Sequence, residues 1–481
     1  MEDEKIEKKE VFSEKALKKS EENSLKDAAS VSATAGFGDS YINAYAIALR
    51  AAPATIGLLT SLPNLIAPIS QLFTSKAMET NSRKKIFAYS ILYQSLLWIP
   101  IIGVSFFFLK GFGFSPIVLV FFYTIYIAFG NFAAPAWSSW IGDIIEKEKT
   151  GKFFGQRNSV GSITTLIALL MGGFILDFFR WKSSQENYWL FIGFGIIFFL
   201  AMAFRLLSRH FVLKQYEPEF KFKKESYFSF IDFIKAASNR NYGRFAIYIA
   251  LIVLATNIAG PYYSIYMLRE LKFSYIQFML MMVSSVSATL LLTRLWGNFS
   301  DLYGKVNTLR ISSFFIPLLC FLWPISILIS YPWKFYFLLM TSFIGGSAWA
   351  GFNLAAGTFV YDAASPEKRS LCVAYSNVIN GFGVVIGSTI GSLLILYLRI
   401  SFMDVIMFVS LVSGIARYVV SYLMIPTIKE VKIIEGKPSW KEIPLAGQLF
   451  NFPVLIHNML IFEGKRIGGI IKKNTRKRLK K

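Results

Sequence analysis

The chain has 481 residues, of which 54% are hydrophobic and 17% aromatic, and its formal net charge is +22. A soluble chain of this length would fold as a few globular domains, but here apolar runs of about 20 residues recur throughout, the length that a hydrocarbon core of roughly 30 Å demands of a helix. The backbone must satisfy itself in lipid, which excludes open strands, and the Lys and Arg gather in alternate loops and at both ends with no nucleic-acid module between them, so no nucleic-acid partner is expected.

Residues 1–26 are dense in Glu and Lys and read as a disordered tail. No apolar signal segment is present there. The first spans are Asp27–Leu49 and Ala54–Lys76, joined at Arg50–Pro53. The third is Ile86–Leu109, and Gly111 and Gly113 turn the chain into the fourth, Pro116–Ile141. A charged loop, Asp143–Lys152, leads to the fifth, Asn158–Phe179, and Arg180–Asn187 to the sixth, Tyr188–Leu207. Residues 27–207 are thus a first half of six helices.

Residues 208–242 are a polar linker in which Ser226–Ile234 is amphipathic and too short to span, as expected of a surface helix. The second half, 243–425, repeats the pattern with Arg244–Leu268, Ser274–Leu295, Ile311–Ile329, Phe335–Tyr361, Leu371–Leu398 and Met403–Ile425. The tail 426–481 is basic. Within it Phe452–Phe462 contains Pro453, His457 and Asn458 and reads as interfacial. The cluster Lys472–Lys481 should be held to anionic lipid by about 1 kcal/mol per basic residue. The expected fold is an all-α membrane protein of about twelve transmembrane helices in two six-helix halves related by pseudo-two-fold symmetry. Cys320 and Cys372 sit in separate apolar helices and read as small core residues. Neither a metal site nor a cofactor is expected.

Two loop types are duplicated. The first is Trp296-Gly297-Asn298-Phe299-Ser300-Asp301-Leu302-Tyr303-Gly304-Lys305, with a worn copy at Ser75, Glu79, Ser82 and Arg83. Gly297 would let the incoming helix pack closely, and Gly304 would supply a turn that a Cβ makes costly. The second begins at Asp143 and leads to a helix with Asn158 and Gly172; its copy begins at Asp362 and leads to Asn377 and Gly391 at the same offset, without a gap. This G-x-x-x-D-x-x-G-[KR] pattern, with the loops after the fourth and tenth helices, resembles the major facilitator superfamily over roughly Ser30 to Pro426. Thr80 and Leu302 depart from it, because the family places Arg after the acid.

The resemblance implies a secondary active transporter that moves a small solute by alternating access, with the first, fourth, seventh and tenth helices lining a central cavity. It also implies that Glu79, Arg83, Asp143, Gly297, Asp301, Gly304, Lys305 and Asp362 form a conformational latch between the halves. Loop charge gives the orientation. Lys76, Arg83, Lys84, Lys85, Lys147, Lys149, Lys152, Lys305, Lys368 and Arg369 share one side with both tails. By the positive-inside rule both termini are cytoplasmic, in a multi-pass plasma-membrane protein.

Polar residues in the cavity helices are the site candidates, since such groups in hydrocarbon face a cavity or a partner helix. They are Asn43, Asn131, Trp137, Asn257, Tyr262, Tyr263, Trp349 and Asn353. Asp39 stands apart. About 12 residues into the first helix, at about 1.5 Å per residue, it lies near mid-span, where an ionised carboxylate costs at least about 2.5–3.5 kcal/mol. No basic residue is expected at that depth in a cavity helix, so Asp39 is the candidate for binding the coupling proton or a cationic substrate group. Its counterpart in the second half is Gly260. His210 and His457 fall outside the spans, and Arg417 is expected to be buried against a partner or to snorkel. The sequence has no H-E-x-x-H and no G-x-S-x-G, so no enzyme is expected. The alternative reading is a non-transporting sensor or scaffold of the same fold, suggested by the long basic tail.

Overall fold

The computed structural model describes residues 2–145, 150–182, 188–218, 230–237, 240–363, 369–431 and 444. In chain order the helices are α1 Glu2–Phe37, α2 Ile42–Ala48, α3 Pro53–Leu72, α4 Thr74–Thr80, α5 Arg83–Leu109, α6 Ser115–Ile144, α7 Thr150–Lys182 and α8 Tyr188–Leu213. The short α9, Phe230–Ala237, precedes the second half: α10 Asn241–Asn257, α11 Tyr263–Ile265, α12 Tyr275–Tyr303, α13 Lys305–Ile325, α14 Trp333–Ala363, α15 Arg369–Tyr397 and α16 Val405–Met424. No strand occurs among the described residues. Among the described residues eleven helices are long and apolar enough to cross a membrane. The first span, α1 with α2, joins them in the bundle but is broken near its middle and begins among charges.

Local chemistry explains where these helices start. Pro53 opens α3 at a position whose N–H has no helical partner. The Ser82 hydroxyl accepts from the Lys85 amide at the head of α5. Ser274 and Gln277 form a capping box at α12, at 3.2 and 3.0 Å. Asp404 accepts from Ile406 N at 2.8 Å to start α16. At Gly304 φ is +85°, so α12 and α13 meet in a turn that requires glycine.

The sequence repeat is a structural repeat. In the first half α1 packs on α7 and α8; in the second α10 packs on α15 and α16. The halves meet where α3 lies on α15 and α7 on α12. Small residues bring these pairs together. A Cβ at Gly381 would approach the Asn64 carbonyl to 2.7 Å, and one at Gly173 would reach Ile276 Cα at 3.2 Å. The core of the first half gathers Tyr45, Trp98, Phe194 and Phe198, and that of the second Tyr248, Trp296 and Phe359.

Several expectations change. Within the polar stretch expected to be a disordered tail, α1 begins at Glu2, and Ser20, Asn23 and Ser24 are buried before the span proper starts at Asp27. Ser20 and Ser24 find partners, Tyr216 N donating to Ser20 Oγ at 2.7 Å and Arg157 Nη1 to Ser24 Oγ at 2.8 Å, which offsets the cost of burial. The loop around Asp301 is largely helix, because α12 continues to Tyr303. The sixth helix continues to Leu213, so Arg205 is interior to it and His210 belongs to its last turn. The described part of the amphipathic stretch, from Phe230, belongs to α9, with Ile231 and Ile234 exposed and Phe233 buried on Tyr242 and Tyr375. The interfacial segment at 452–462 and the basic cluster at 472–481 lie outside the described residues.

Candidate functional site

The site is built around a break in the first span. α1 stops at Phe37, residues Asp39–Tyr41 make one tight turn, and α2 resumes at Ile42. Gly38 is needed at the break, since a Cβ there would collide with the Trp98 indole. The second half breaks at the equivalent place, Gly260–Tyr262. In both, the tyrosine that closes the turn anchors it to the fifth helix of its half. Tyr41 Oη donates to the Leu169 carbonyl, and Tyr262 Oη to that of Ser388 at 2.5 Å. Gly172 and Gly391, the repeated glycines of the sequence, leave room for these two rings.

The break sets Asp39 against α6. Its Oδ2 accepts from Tyr126 Oη at 3.5 Å, and its Oδ1 is buried without a hydrogen-bond partner. From Tyr126 a polar chain runs through the half. Gln94 Nε2 donates to the Tyr126 carbonyl at 3.0 Å, and Gln94 Oε1 accepts from Arg205 Nε and Nη2 at 2.9 and 2.5 Å. Arg205 Nη1 donates to Ser208 Oγ at 3.2 Å, which donates to Asp27 Oδ1 at 2.7 Å. Asp27 Oδ2 pairs with Arg157 Nη2 at 2.9 Å. Arg157 also holds Ser24 Oγ at 2.8 Å and lies 4.7 Å over the Trp137 ring.

Gln94, Arg205, Ser208 and Asp27 are each less than 7% exposed. Charges so deep persist only where they are paired and bonded. Asp27 and Arg157 meet that condition through their ion pair, while Arg205 is bonded to neutral Gln94 and Ser208 and lies within electrostatic reach of both Asp27 and Asp39. The sequence reading missed Arg205. The signal was a basic residue inside an apolar run, hidden by ending the sixth helix at Leu207.

Arg157 connects this chain to a cavity of about 1480 Å³ between the halves. Its walls are α1 at Leu25 and Ser32, α7 from Gly155 to Thr165, and α12 at Thr289, Thr293 and Arg294, so it occupies the part of the interface nearest the termini. At the opposite face the halves are clasped. Asp177 accepts from the first amides of α12, Tyr275 N at 2.7 Å and Ile276 N at 2.9 Å. Arg180 donates to Phe273 O at 3.0 Å, and Arg269 to Ala51 O at 2.7 Å.

None of the eight expected lining residues belongs to this cavity. Asn131 accepts from Gln71 Nε2 at 3.1 Å and donates to Ile127 O; Asn257 donates to Val253 O at 2.8 Å. Tyr262 is fully buried. Tyr263 bonds Ser410 Oγ at 2.6 Å and packs at a tilt on Trp323. Both tyrosines therefore tie their own half together. Trp137 packs on Phe87, Phe154 and Arg157. Asn43 and Trp349 are half-buried and Asn353 is exposed.

The latch candidates form two equivalent contacts within the halves. Buried Arg83 pairs with Asp143 at 2.5 Å and donates to Ser139 O at 3.0 Å; Lys305, its counterpart, donates to Thr358 O at 2.9 Å. The side chain of Asp362 lies outside the described residues. Glu79 and Asp301 are exposed. Gly297 does not serve close packing as expected, since a Cβ there would meet only Leu354 at 3.9 Å. Close approach of the eighth and tenth helices occurs instead at Gly346, against Ser285, and at Gly351, against Trp296.

Two six-helix repeats, clasped at one face and enclosing a cavity toward the other, define a multi-pass helical membrane protein. The major facilitator superfamily model matches residues 28–254 and 245–463, and the chain belongs to that superfamily. Solved structures share the fold. The nucleoside transporter NupG is 16% identical, with a TM-score of 0.61 over 86% of this chain and 99% of its own. A D-xylose-proton symporter is 12% identical, with a TM-score of 0.64 over 88% and 99%. The xylose transporter XylE from E. coli, in a partially occluded inward-open conformation, is 12% identical, with a TM-score of 0.59 over 89% and 99%. No curated protein sequence matches the chain significantly.

Proposed function

We propose that this protein is a proton-coupled secondary active transporter of a small solute, working by alternating access in the plasma membrane with both termini cytoplasmic. The carrying observation is Asp39. Its Oδ1 is buried without a partner, its Oδ2 has one long bond from Tyr126, and hydrogen bonds and ion pairs link it to Arg157 at the cavity wall. A carboxylate held this way can gain or lose a proton while its surroundings stay bonded. Arg205, bonded to neutral Gln94 and Ser208, provides positive charge that balances Asp39 when it ionises. Superfamily membership supports transport as such, and the nucleoside and xylose transporters of like fold support a small-molecule substrate. Lys and Arg on the face that carries the termini support the orientation.

The test is counterflow in proteoliposomes of the purified protein with labelled nucleosides, pentoses and other small polar solutes. Exchange of one of them is the expected result. A folded protein that exchanges none while binding a solute or a partner protein would favour the sensor or scaffold. Impermeant thiol labelling in intact cells should reach a cysteine placed at Ser184 and spare those at 10 and 475; the reverse pattern would invert the orientation.

A further inference from the structure

The repeat carries an arginine in the last helix of each half, and only one is accommodated. α1 and α8 touch where Thr34 Oγ1 donates to the Ala201 carbonyl at 3.1 Å; α10 and α16 touch where Ser413 Oγ donates to the Ala255 carbonyl at 2.6 Å. These equivalent contacts make Arg417 the counterpart of Arg205. Both are buried, at 5% and 6% exposure.

Their surroundings differ. Arg205 has the Gln94 and Ser208 oxygens and lies near Asp27 and Asp39. In the second half the same correspondence puts Tyr248 in place of Asp27 and Gly260 in place of Asp39. The Arg83 and Lys305 contacts likewise align Gln94 with buried Ile316. The counter-charges and the amide are gone while the guanidinium stays. Among the described residues Arg417 makes one bond, Nη2 to the Thr256 carbonyl, at 3.4 Å and so at the limit of a hydrogen bond. Its Nε is buried without a partner, as are the hydroxyls of Thr256 beside it and Ser421 one turn along α16.

A water-exposed arginine would need nothing more, but Arg417 is enclosed. The end of α10, where Thr256 lies, offers partial negative charge that falls well short of a full counter-ion. A buried guanidinium left in that state is strongly unfavourable. We infer that Arg417 anchors a small-anion site within the second half, taking one halide, carboxylate or phosphate group, with the Thr256 and Ser421 hydroxyls as further donors. Such groups match the arginine donor fork and the two orphaned hydroxyls. This site is independent of proton coupling at Asp39.

The experiment is thermal unfolding of the purified full-length protein in detergent. Chloride, acetate or inorganic phosphate is titrated at constant ionic strength, with a bulky sulfonate as the balancing anion. At least one should raise Tm by about 2 °C or more in a saturable way. Arg417→Gln, which removes an uncompensated charge and so keeps a foldable core, should abolish the shift. Thr256→Val should keep it but raise the half-saturating concentration about tenfold. Saturation by chloride or phosphate alone assigns the site to a free inorganic anion; a shift with acetate alone assigns it to the acid group of an organic solute. Absence of a saturable shift in the native protein, or an equal shift in Arg417→Gln, overturns the inference.

Discussion

Tyr262 donates its hydroxyl to the backbone carbonyl of Ser388 at 2.5 Å, and this bond ties the broken seventh span to the eleventh as Tyr41 and Leu169 tie the first to the fifth. The ring fits because residue 391 is glycine: a Cβ there would sit 2.6 Å from Tyr262 Cε2 and collide with the Ile258 carbonyl. Gly391→Ala should therefore lower stability by about 1–3 kcal/mol, the cost of overpacking. Gly357→Ala is the control, because nothing lies within 4 Å of a Cβ at that position. Thermal unfolding of the two variants in detergent compares them. Equal melting temperatures would mean that the turn is not held by this contact.

The clasp between α7 and α12 sets the conformational balance. Asp177, from one half, caps the N-terminus of a helix of the other with two hydrogen bonds. Such a cap contributes about 1–2 kcal/mol, so Asp177→Ala should move the equilibrium toward opening at this face by about 5- to 30-fold. Spin labels at Gly113 and Ser330, exposed on opposite halves at that face, report the change as a longer distance population. An unchanged distance distribution would show that the clasp does not bias the two states.

Arg83 and Asp143 test the repeat from the other end. Arg83 is wholly buried and Asp143 is 48% exposed, so the pair is only partly desolvated. Asp143→Ala should cost about 1–3 kcal/mol, below the roughly 3–5 expected on breaking a fully buried pair. Arg83→Lys should cost less than Arg83→Ala, since Lys305 reaches the equivalent carbonyl in the other half. Melting temperatures of the three variants order these effects. A lysine variant as unstable as the alanine variant would break the equivalence.

The fold was legible because its causes are local. Apolar runs matched to bilayer thickness specify the spans, and Gly172 and Gly391 at a shared offset already marked the repeat, although their purpose, room for the rings of Tyr41 and Tyr262, needs the packed structure. Asp39 could be singled out because a carboxylate in an apolar run has a cost that composition alone exposes. Its partners could not. Tyr126, Gln94 and the pair Arg205 and Ser208 come from three other stretches of chain, Asp27 lies three turns earlier in Asp39's own span, and the sequence does not say which faces of those helices meet. The packing at the polar start of α1 was hidden for the same reason, because Glu and Lys around residues 17–26 look solvated until Ser20 and Ser24 are seen to bond Tyr216 and Arg157. Tyr262 and Tyr263 show the converse: a polar residue in a span can serve its own bundle as well as a substrate.

Proton coupling through Asp39 is tested most directly by substituting it alone. Asp39→Asn keeps the size of the side chain and an acceptor for Tyr126 Oη, while removing the group that exchanges a proton. Reconstituted with a solute identified by counterflow, the variant should exchange that solute at a rate near the native one and lose accumulation driven by an imposed pH gradient. Full gradient-driven accumulation by the folded Asp39→Asn protein would contradict the account.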